Sequence, residues 1–185
     1  AFGSQKSFFV TNGTSTANKI VVQALVRPGD VVLIDRDCHK SHHYGLVLSG
    51  AKPVYLDSYH LEEYSMYGGV PLKLIKNKLN EFKKVGRLDE VKMVLLTNCT
   101  FDGVVYNVER YMEEILAIKP DMVFLWDEAW FGYARFSSLF RRRTAMCAVR
   151  RLHKKYHSEK YRDQYQRQLE SGRSMAGMPD PDQVK

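Results

Sequence analysis

Short, continuous apolar segments alternate along the chain with segments in which apolar residues recur every three or four positions. The first kind is typical of strands buried on both faces of a parallel sheet, and the second is typical of helices. The pattern predicts strands near residues 8–12, 31–35, 52–57, 91–97 and 122–128. It predicts helices over residues 16–26, 43–49, 72–85 and 108–118. This alternation predicts an α/β fold with a mainly parallel sheet and flanking helices.

Two regions depart from the alternation. Residues 58–71 are polar and rich in tyrosine, and we expect them to form an ordered loop near a functional site. From residue 133 onward the chain is basic, and its pattern predicts helical structure over 145–168 and a loop over 171–181. We therefore expect residues 1–132 to form part of one domain and residues 133–185 to extend that domain as a basic, partly helical tail.

The net charge of +7 comes from this tail. Residues 133–185 contain 13 Lys and Arg residues against 5 Asp and Glu residues, whereas residues 1–132 contain 15 against 16. Such a tail is either the solvated face of a helix or a patch that binds anions or nucleic acid. We favour the solvated face, because neither an aromatic platform nor a known nucleic-acid-binding motif accompanies the charge.

The composition disfavours several other classes of protein. No run of about 18 uncharged apolar residues occurs, so we expect no membrane span. The first residues lack the basic and apolar regions of a signal peptide. Cys38, Cys99 and Cys147 are widely spaced and lie near no cluster of metal-ligand type. We expect free thiols, no metal site and a cytoplasmic location.

Polar clusters follow four of the predicted strands, at residues 11–15, 36–41, 98–103 and 127–130. Ligands of open parallel sheets bind at the carboxyl ends of the strands, so we expect these clusters to meet at one edge. The first cluster also begins a helix, where unpaired N–H groups favour an anion such as phosphate. An ordinary helix N-cap accounts for Thr14 or Ser15 equally well.

Four motifs in these clusters together resemble a known family. They are Asn-Gly-Thr-Ser-Thr-Ala-Asn (12–18), Asp-Arg-Asp-Cys-His-Lys-Ser (35–41), Thr-Phe-Asp-Gly (100–103) and Asp-Glu-Ala-Trp (127–130). Their order and spacing resemble the major domain of the pyridoxal-phosphate-dependent ornithine/lysine/arginine decarboxylases, which has the aspartate-aminotransferase-like fold of type I. The resemblance runs from about Phe8 to about Arg143, and so covers the N-terminal part of that domain only.

The resemblance implies a role for each matching residue. Gly13, Thr14 and Ser15 would hold the cofactor phosphate, His39 would stack on the pyridine ring, and Asp127 would pair with the ring nitrogen. Ala129 would lie against the ring, and Trp130, where many relatives have histidine, would form a wall of the substrate pocket. Thr100 and Asp102 match a loop near the cofactor. The alternatives for these residues are that Asp127 caps the next turn and that His39 is a loop histidine. Glu128 is interpreted as a solvated or structural carboxylate.

The family also requires a lysine that binds pyridoxal phosphate covalently, in a Ser-x-His-Lys segment after the next strand. The sequence ends before such a segment, and Lys40 belongs to the ring-stacking motif, so we expect this chain alone not to catalyse decarboxylation. The resemblance implies part of a homo-oligomeric decarboxylase of a basic amino acid, of the lysine, ornithine or arginine type. The open alternatives are a non-catalytic truncated homologue that acts as a binding or assembly module, and an aminotransferase or another lyase of the same fold.

Overall fold

The computed structural model describes residues 2–172, 174–175 and 177–184. Its strands there are β1 (Val31–Asp35), β2 (Lys52–Leu56), β3 (His60–Leu61), β4 (Met66–Tyr67), β5 (Val91–Thr97) and β6 (Val123–Asp127). Its α-helices there are α1 (Gly13–Leu25), α2 (Lys40–Ser49), α3 (Leu72–Lys84), α4 (Val108–Leu116), α5 (Ala145–Tyr156) and α6 (Glu159–Glu170). Short 3-10 helices cover Glu62–Tyr64, Leu88–Glu90, Gly132–Phe136 and Arg141–Arg143.

The four longer strands form one parallel sheet in the order β2-β1-β5-β6. β1 lies between β2 and β5, and all five of its residues are buried. Parallel neighbours need crossover connections, and α2, α3 and α4 provide them in turn along the chain. The predicted α/β fold with a mainly parallel sheet and flanking helices is confirmed. The strands predicted from residue 31 onward agree with β1, β2, β5 and β6 to within one residue at each end.

Helices cover both faces of the sheet, and each face has its own apolar core. Alternate residues of β1 point to opposite faces, so Val32 and Ile34 belong to one core while Val31 and Leu33 belong to the other. The first core is completed by α1 and α2, through residues such as Val22 and Leu46. The second is completed by residues of α3, α4, α5 and α6. The continuous apolar character of the strands therefore reflects burial from both sides.

The strand predicted near residues 8–12 is wrong. Residues 8–10 have no regular structure, and the side chains of Phe8 and Phe9 are 86% and 98% exposed. A strand requires a partner for its backbone hydrogen bonds, and no strand of the described residues pairs with this segment. The apolar run was a valid sign of β propensity, but pairing decides whether a strand forms.

The segment predicted as an ordered loop, residues 58–71, contains a small hairpin. β3 and β4 pair antiparallel, with His60 opposite Tyr67, and the 3-10 turn between them ends at Ser65 in the left-handed region with φ of 51°. Gly68 leaves room for the ring of Tyr59, because an added Cβ would lie 2.2 Å from that ring. Each strand has only two residues, which is too short for a periodicity of two to show in the sequence.

The basic tail folds as two helices where one helical segment was predicted. α5 ends at Tyr156 and α6 begins at Glu159, with the Ser158 side chain accepting a hydrogen bond from the Tyr161 N–H. α5 packs its apolar side into the core beside α4, and its outer side pairs Arg151 with Glu109 at 3.1 Å.

Within the predicted loop over 171–181, Arg173 and Ala176 lie outside the described residues, as do Ala1 and Lys185. The division at residues 132 and 133 stays a prediction.

A search of the described residues for helices that could cross a membrane finds none with the necessary length and apolar character.

Replacement of Leu33 by alanine tests the central position of β1. Leu33 is fully buried, so Leu33→Ala should lower the free energy of unfolding by about 2–5 kcal/mol, through lost apolar burial and the cavity left behind. Urea unfolding of the 185-residue chain, followed by circular dichroism, measures the change. Val47→Ala is the control, because Val47 is 78% exposed on α2 and its loss should change stability by less than about 0.5 kcal/mol. Equal effects of the two replacements would contradict the assignment of β1 to the core.

Candidate functional site

A cleft of about 820 Å³ opens at the carboxyl edge of the sheet. Its walls come from the start of α1, the loop after β1, the β3–β4 hairpin and the loops after β5 and β6. Eight of the nine candidate residues named from the sequence line this cleft: Thr14, Ser15, His39, Thr100, Asp102, Asp127, Ala129 and Trp130. Gly13, the ninth, is the first residue of α1, directly before Thr14. Residues that are up to 116 positions apart in sequence therefore meet at one edge. The clusters after β1, β5 and β6 meet there because parallel strands all end at that edge, and the start of α1 joins them without a preceding strand.

The N-terminus of α1 opens into the cleft with unused hydrogen-bond donors. The N-cap is Asn12, whose side chain makes no capping hydrogen bond, so the alternative that Thr14 or Ser15 is the cap is wrong. Gly13 has φ of 74°, a left-handed conformation that glycine adopts without strain. The hydroxyl groups of Thr14 and Ser15 have no hydrogen-bond partner among the described residues. Free N–H groups, the helix dipole and two free hydroxyls form a suitable environment for an anion.

Asp127 lies at the end of β6, at the base of the cleft, with 6% of its surface exposed. Its Oδ2 accepts hydrogen bonds from Asn18 Nδ2 and from His42 Nε2, both at 2.9 Å. Its Oδ1 accepts one from the Ala129 N–H at 3.0 Å, which is the turn-capping role considered above. Burial raises the pKa of Asp127, but the hydrogen bonds from His42, Ala129 and Asn18 outweigh it and hold the pKa below the ordinary value of 3.8. The carboxylate is therefore ionised near neutral pH.

Asn18 and His42 are site residues that the sequence interpretation missed. Asn18 belongs to the first motif and lies about one helical turn after Thr14 and Ser15, on the same side of α1. His42 lies three residues after His39, but the predicted helix began at residue 43, which left His42 in a loop. In the structure α2 begins at Lys40, and His42 faces inward and is fully buried. The helical spacing of His39 and His42 was the available signal.

His39 is connected to Asp127 by a short polar chain. His39 is the N-cap of α2 and its Nδ1 accepts a hydrogen bond from the Ser41 N–H at 3.2 Å. The Ser41 Oγ lies 2.8 Å from His39 Nδ1 and accepts from Asn18 Nδ2 at 3.1 Å. Since Nδ1 is occupied as an acceptor, the ring of His39 is held at the cleft with its proton on Nε2. His39 thus has a definite structural role in the loop and also presents its ring to the cleft.

The outer wall of the cleft is aromatic. Trp130 and Phe101 meet edge to face, with ring centroids 5.8 Å apart, and are 66% and 86% exposed. The Thr100 hydroxyl accepts a hydrogen bond from the Val104 N–H at 3.1 Å, so it shapes the turn that carries Phe101 and Asp102. Met66 and Tyr67 of β4 contribute to the lining, as expected for a segment near a site. The cleft is therefore polar at its base and apolar at its mouth.

Negative charge predominates in the cleft. Its lining includes the carboxylates of Asp37, Asp102 and Asp127, and contains neither Lys nor Arg among the described residues. The thiol of Cys38 also lines it, but burial, with the nearby Asp35 carboxylate, raises the pKa of that thiol to about 12, so it stays protonated. Apart from the anion-binding start of α1, this environment attracts cations.

Glu128, adjacent to Asp127, faces away from the cleft. Its Oε1 accepts hydrogen bonds from the Ala145 N–H and from Asn98 Nδ2, both at 2.7 Å. Asn98 is fully buried and also bonds to the backbone of Arg143 and Tyr106. Glu128 therefore joins the end of β6 to the start of α5, which agrees with its interpretation as a structural carboxylate. Within the described residues, no group of three or more His, Cys, Asp or Glu residues is arranged to hold a metal ion.

Comparison with known proteins finds one family over most of the chain. A family model described as "Orn/Lys/Arg decarboxylase, major domain" matches residues 1–157. The lysine decarboxylase LdcA of Pseudomonas aeruginosa is 38% identical over 151 residues, which are 78% of this chain and 20% of that protein. The biodegradative arginine decarboxylase of Escherichia coli is 37% identical over 154 residues, again 78% of this chain and 20% of the relative.

The solved structures agree with this match. Lysine decarboxylase A from Pseudomonas aeruginosa superposes with a TM-score of 0.68 and 37% identity, over 80% of this chain and 20% of that one. The chain thus spans about a fifth of the length of the curated relatives it matches.

The contacts of Glu128 lead to a prediction of pH-dependent stability. Burial raises the pKa of Glu128 above its ordinary value of 4.5, because the hydrogen bonds from Ala145 and Asn98 compensate only in part. The folded state then keeps this proton to higher pH than the unfolded state does. The contribution of Glu128 to stability is therefore complete below pH 4.5 and decreases as pH rises through the folded-state pKa.

Urea unfolding of wild type and Glu128→Gln between about pH 4 and 7 measures this contribution as the difference between their free energies of unfolding. The difference should decrease as pH rises, and a difference that stays constant or increases would contradict the prediction. Glu128→Ala is a control for the hydrogen bonds themselves. It should destabilise the chain at every pH by about 1–3 kcal/mol, because it leaves Asn98 Nδ2 and the Ala145 N–H without their partner.

Proposed function

The chain belongs to the Orn/Lys/Arg decarboxylase family, and we propose that its cleft is the pyridoxal phosphate site of an enzyme that removes the α-carboxyl group of a basic amino acid. The observation that carries the proposal is one cleft in which an ionised, buried Asp127 lies at the base and the free N-terminus of α1 lies at the wall. A cofactor with a phosphate at one end and a basic ring nitrogen at the other requires both features.

The described residues fit the phosphate, the ring nitrogen and the ring faces of such a cofactor. We assign the phosphate to the unpaired N–H groups of Gly13, Thr14 and Ser15 and to the two hydroxyls, which have no competing partner among the described residues. We assign the ring nitrogen to Asp127, and the ring faces to His39 and Ala129, which line the cleft beside that carboxylate. Thr100 and Asp102, on the turn after β5, would lie close to the bound cofactor.

When bound, pyridoxal phosphate accepts the electrons that remain at the substrate Cα after the bond to the carboxyl carbon breaks. The residues of this chain prepare that step through charge and position. Asp127 is ionised, so it can hold a proton on the ring nitrogen and keep the ring electron-poor. Ala129 donates its N–H to Asp127 and so fixes the orientation of that carboxylate, while His39 is held at the cleft by Ser41.

The charge of the cleft supports a basic amino acid as the substrate. A substrate with a cationic side chain is attracted to a lining that contains Asp37 and Asp102 beside Asp127 and lacks Lys and Arg among the described residues. Trp130 and Phe101 offer apolar surface for the methylene groups of such a side chain. The similarity to proteins named lysine and arginine decarboxylases supports the same substrate class.

We also infer that the full-length protein is a cytoplasmic homo-oligomer. Several apolar side chains are more than 60% exposed, and apolar side chains in such numbers are typical of surfaces that become buried in assembly. They include Phe8, Phe9, Phe101, Trp130 and Leu139. Three free cysteines fit a reducing compartment.

The proposal is tested by assaying the full-length protein that contains this chain for release of CO2 from lysine, ornithine and arginine in the presence of pyridoxal phosphate. Asp127→Asn should reduce kcat/KM by about 100-fold or more, because it removes a fixed charge at the reacting centre. Asp89→Asn, at an exposed carboxylate just before the amino end of β5 and so at the edge of the sheet opposite the cleft, is the matched control and should retain activity. Absence of CO2 release by the wild type with all three amino acids, or full activity of Asp127→Asn, would refute the proposal.

A further inference from the structure

His42 is a fully buried titratable side chain for which the proposed chemistry has given no role. It lies on the first turn of α2, directly after Ser41 in sequence. Its Nε2 is 2.9 Å from Asp127 Oδ2. Its other ring nitrogen, Nδ1, is buried and has no hydrogen-bond partner among the described residues. The different surroundings of the two ring nitrogens restrict which of them can donate a hydrogen bond.

The contact with Asp127 decides which ring nitrogen of His42 donates a hydrogen bond. Asp127 is ionised and acts only as an acceptor, so the nitrogen facing it at 2.9 Å must carry the proton. His42 therefore donates this proton from Nε2 to Asp127 Oδ2. The Asn18 Nδ2, 3.4 Å from His42 Nε2, accordingly directs its hydrogens to Ser41 Oγ and Asp127 Oδ2.

The position of the carboxylate is the important consequence. The His42 N–H binds Oδ2 and the Ala129 N–H binds Oδ1, so both oxygens of Asp127 are held in place at the base of the cleft. We propose that His42 is a positioning residue for Asp127, which fixes the carboxylate through one N–H so that it can bind the protonated ring nitrogen of pyridoxal phosphate. The inference rests on the proposed function, since it concerns how the same cleft holds the same cofactor.

Two replacements of His42 separate its hydrogen bond from its bulk. His42→Gln keeps an N–H donor near the position of Nε2, whereas His42→Leu fills the space without a donor. His43→Gln is the matched control, because His43 is the next residue, lines no part of the cleft, and contacts Tyr55 Oη at 3.2 Å and Cys38 Sγ at 3.5 Å. All are made in the full-length protein, and thermal unfolding followed by circular dichroism establishes that each variant is folded.

The main readout is the dissociation constant of pyridoxal phosphate, measured by absorbance titration of protein from which the cofactor has been removed. His42→Leu should raise this constant on the order of tenfold, as expected for the loss of one hydrogen bond to a charged group, and His42→Gln should remain within about threefold of wild type. His43→Gln should bind as wild type does. Unchanged binding by His42→Leu, or equal losses in His42→Leu and His42→Gln, would overturn the proposal. A wild type that binds no pyridoxal phosphate would overturn the proposed function itself, which distinguishes the two failures.

A second readout requires no variant to bind cofactor. Nitrogen NMR of 15N-histidine-labelled protein without cofactor, compared with the spectrum of His42→Gln, isolates the signals of His42. The proposal expects the shifts of a ring that is protonated on Nε2. The shifts of the tautomer protonated only on Nδ1 would overturn it even if the binding data agreed.

Discussion

The geometry of the cleft at the carboxyl edge of the sheet depends on the hydrogen bonds of Asp127. A carboxylate with so little exposed surface is tolerated only when donors replace its lost hydration. Those donors come from three elements: Asn18 on α1, His42 on α2, and the Ala129 N–H in the turn after β6. To satisfy the carboxylate, α1 and α2 must lie side by side above the same strand end. The packing agrees, because Gly45 of α2 lies so close to α1 that an added Cβ would be 3.2 Å from Val22 Cβ.

The same hydrogen bonds determine the geometry of the cleft. Asn18 lies about one turn along α1 from Thr14 and Ser15, so the bond from Asn18 to Asp127 also fixes the distance between the open end of the helix and the carboxylate. A rigid helix thus connects the proposed phosphate end of the site to its proposed ring-nitrogen end. A ligand that has both groups meets a site that is already shaped before it binds, which reduces the entropy cost of binding.

The sequence was sufficient for the parts of the fold that depend on burial and on strand direction. Continuous apolar segments located β1, β2, β5 and β6, and parallel direction implied that the residues after them would meet. It was insufficient where the outcome depends on a partner remote in sequence. The segment at 8–12 had strand propensity but no paired neighbour, and the contact of His42 spans 85 residues. Local pattern places a side chain on an element, but it does not show which side chain faces it across the core.

Asp127 and Glu128 are adjacent in sequence but have different roles, one in the cleft and one in the packing of α5. Side chains at successive positions of a strand point to opposite faces, and this alternation continues from Asp127, the last residue of β6, to Glu128. Asp127 therefore faces the cleft, and Glu128 faces Asn98 and the start of α5. Their pKa values shift in opposite directions, because Asp127 has three donors and Glu128 has two donors on a single oxygen. The bond from Ala145 to Glu128 also attaches the basic tail to the strand that carries Asp127. The start of helix α5 is therefore hydrogen-bonded to the strand end that forms the base of the cleft. This contact favours treating the tail as an extension of the same domain.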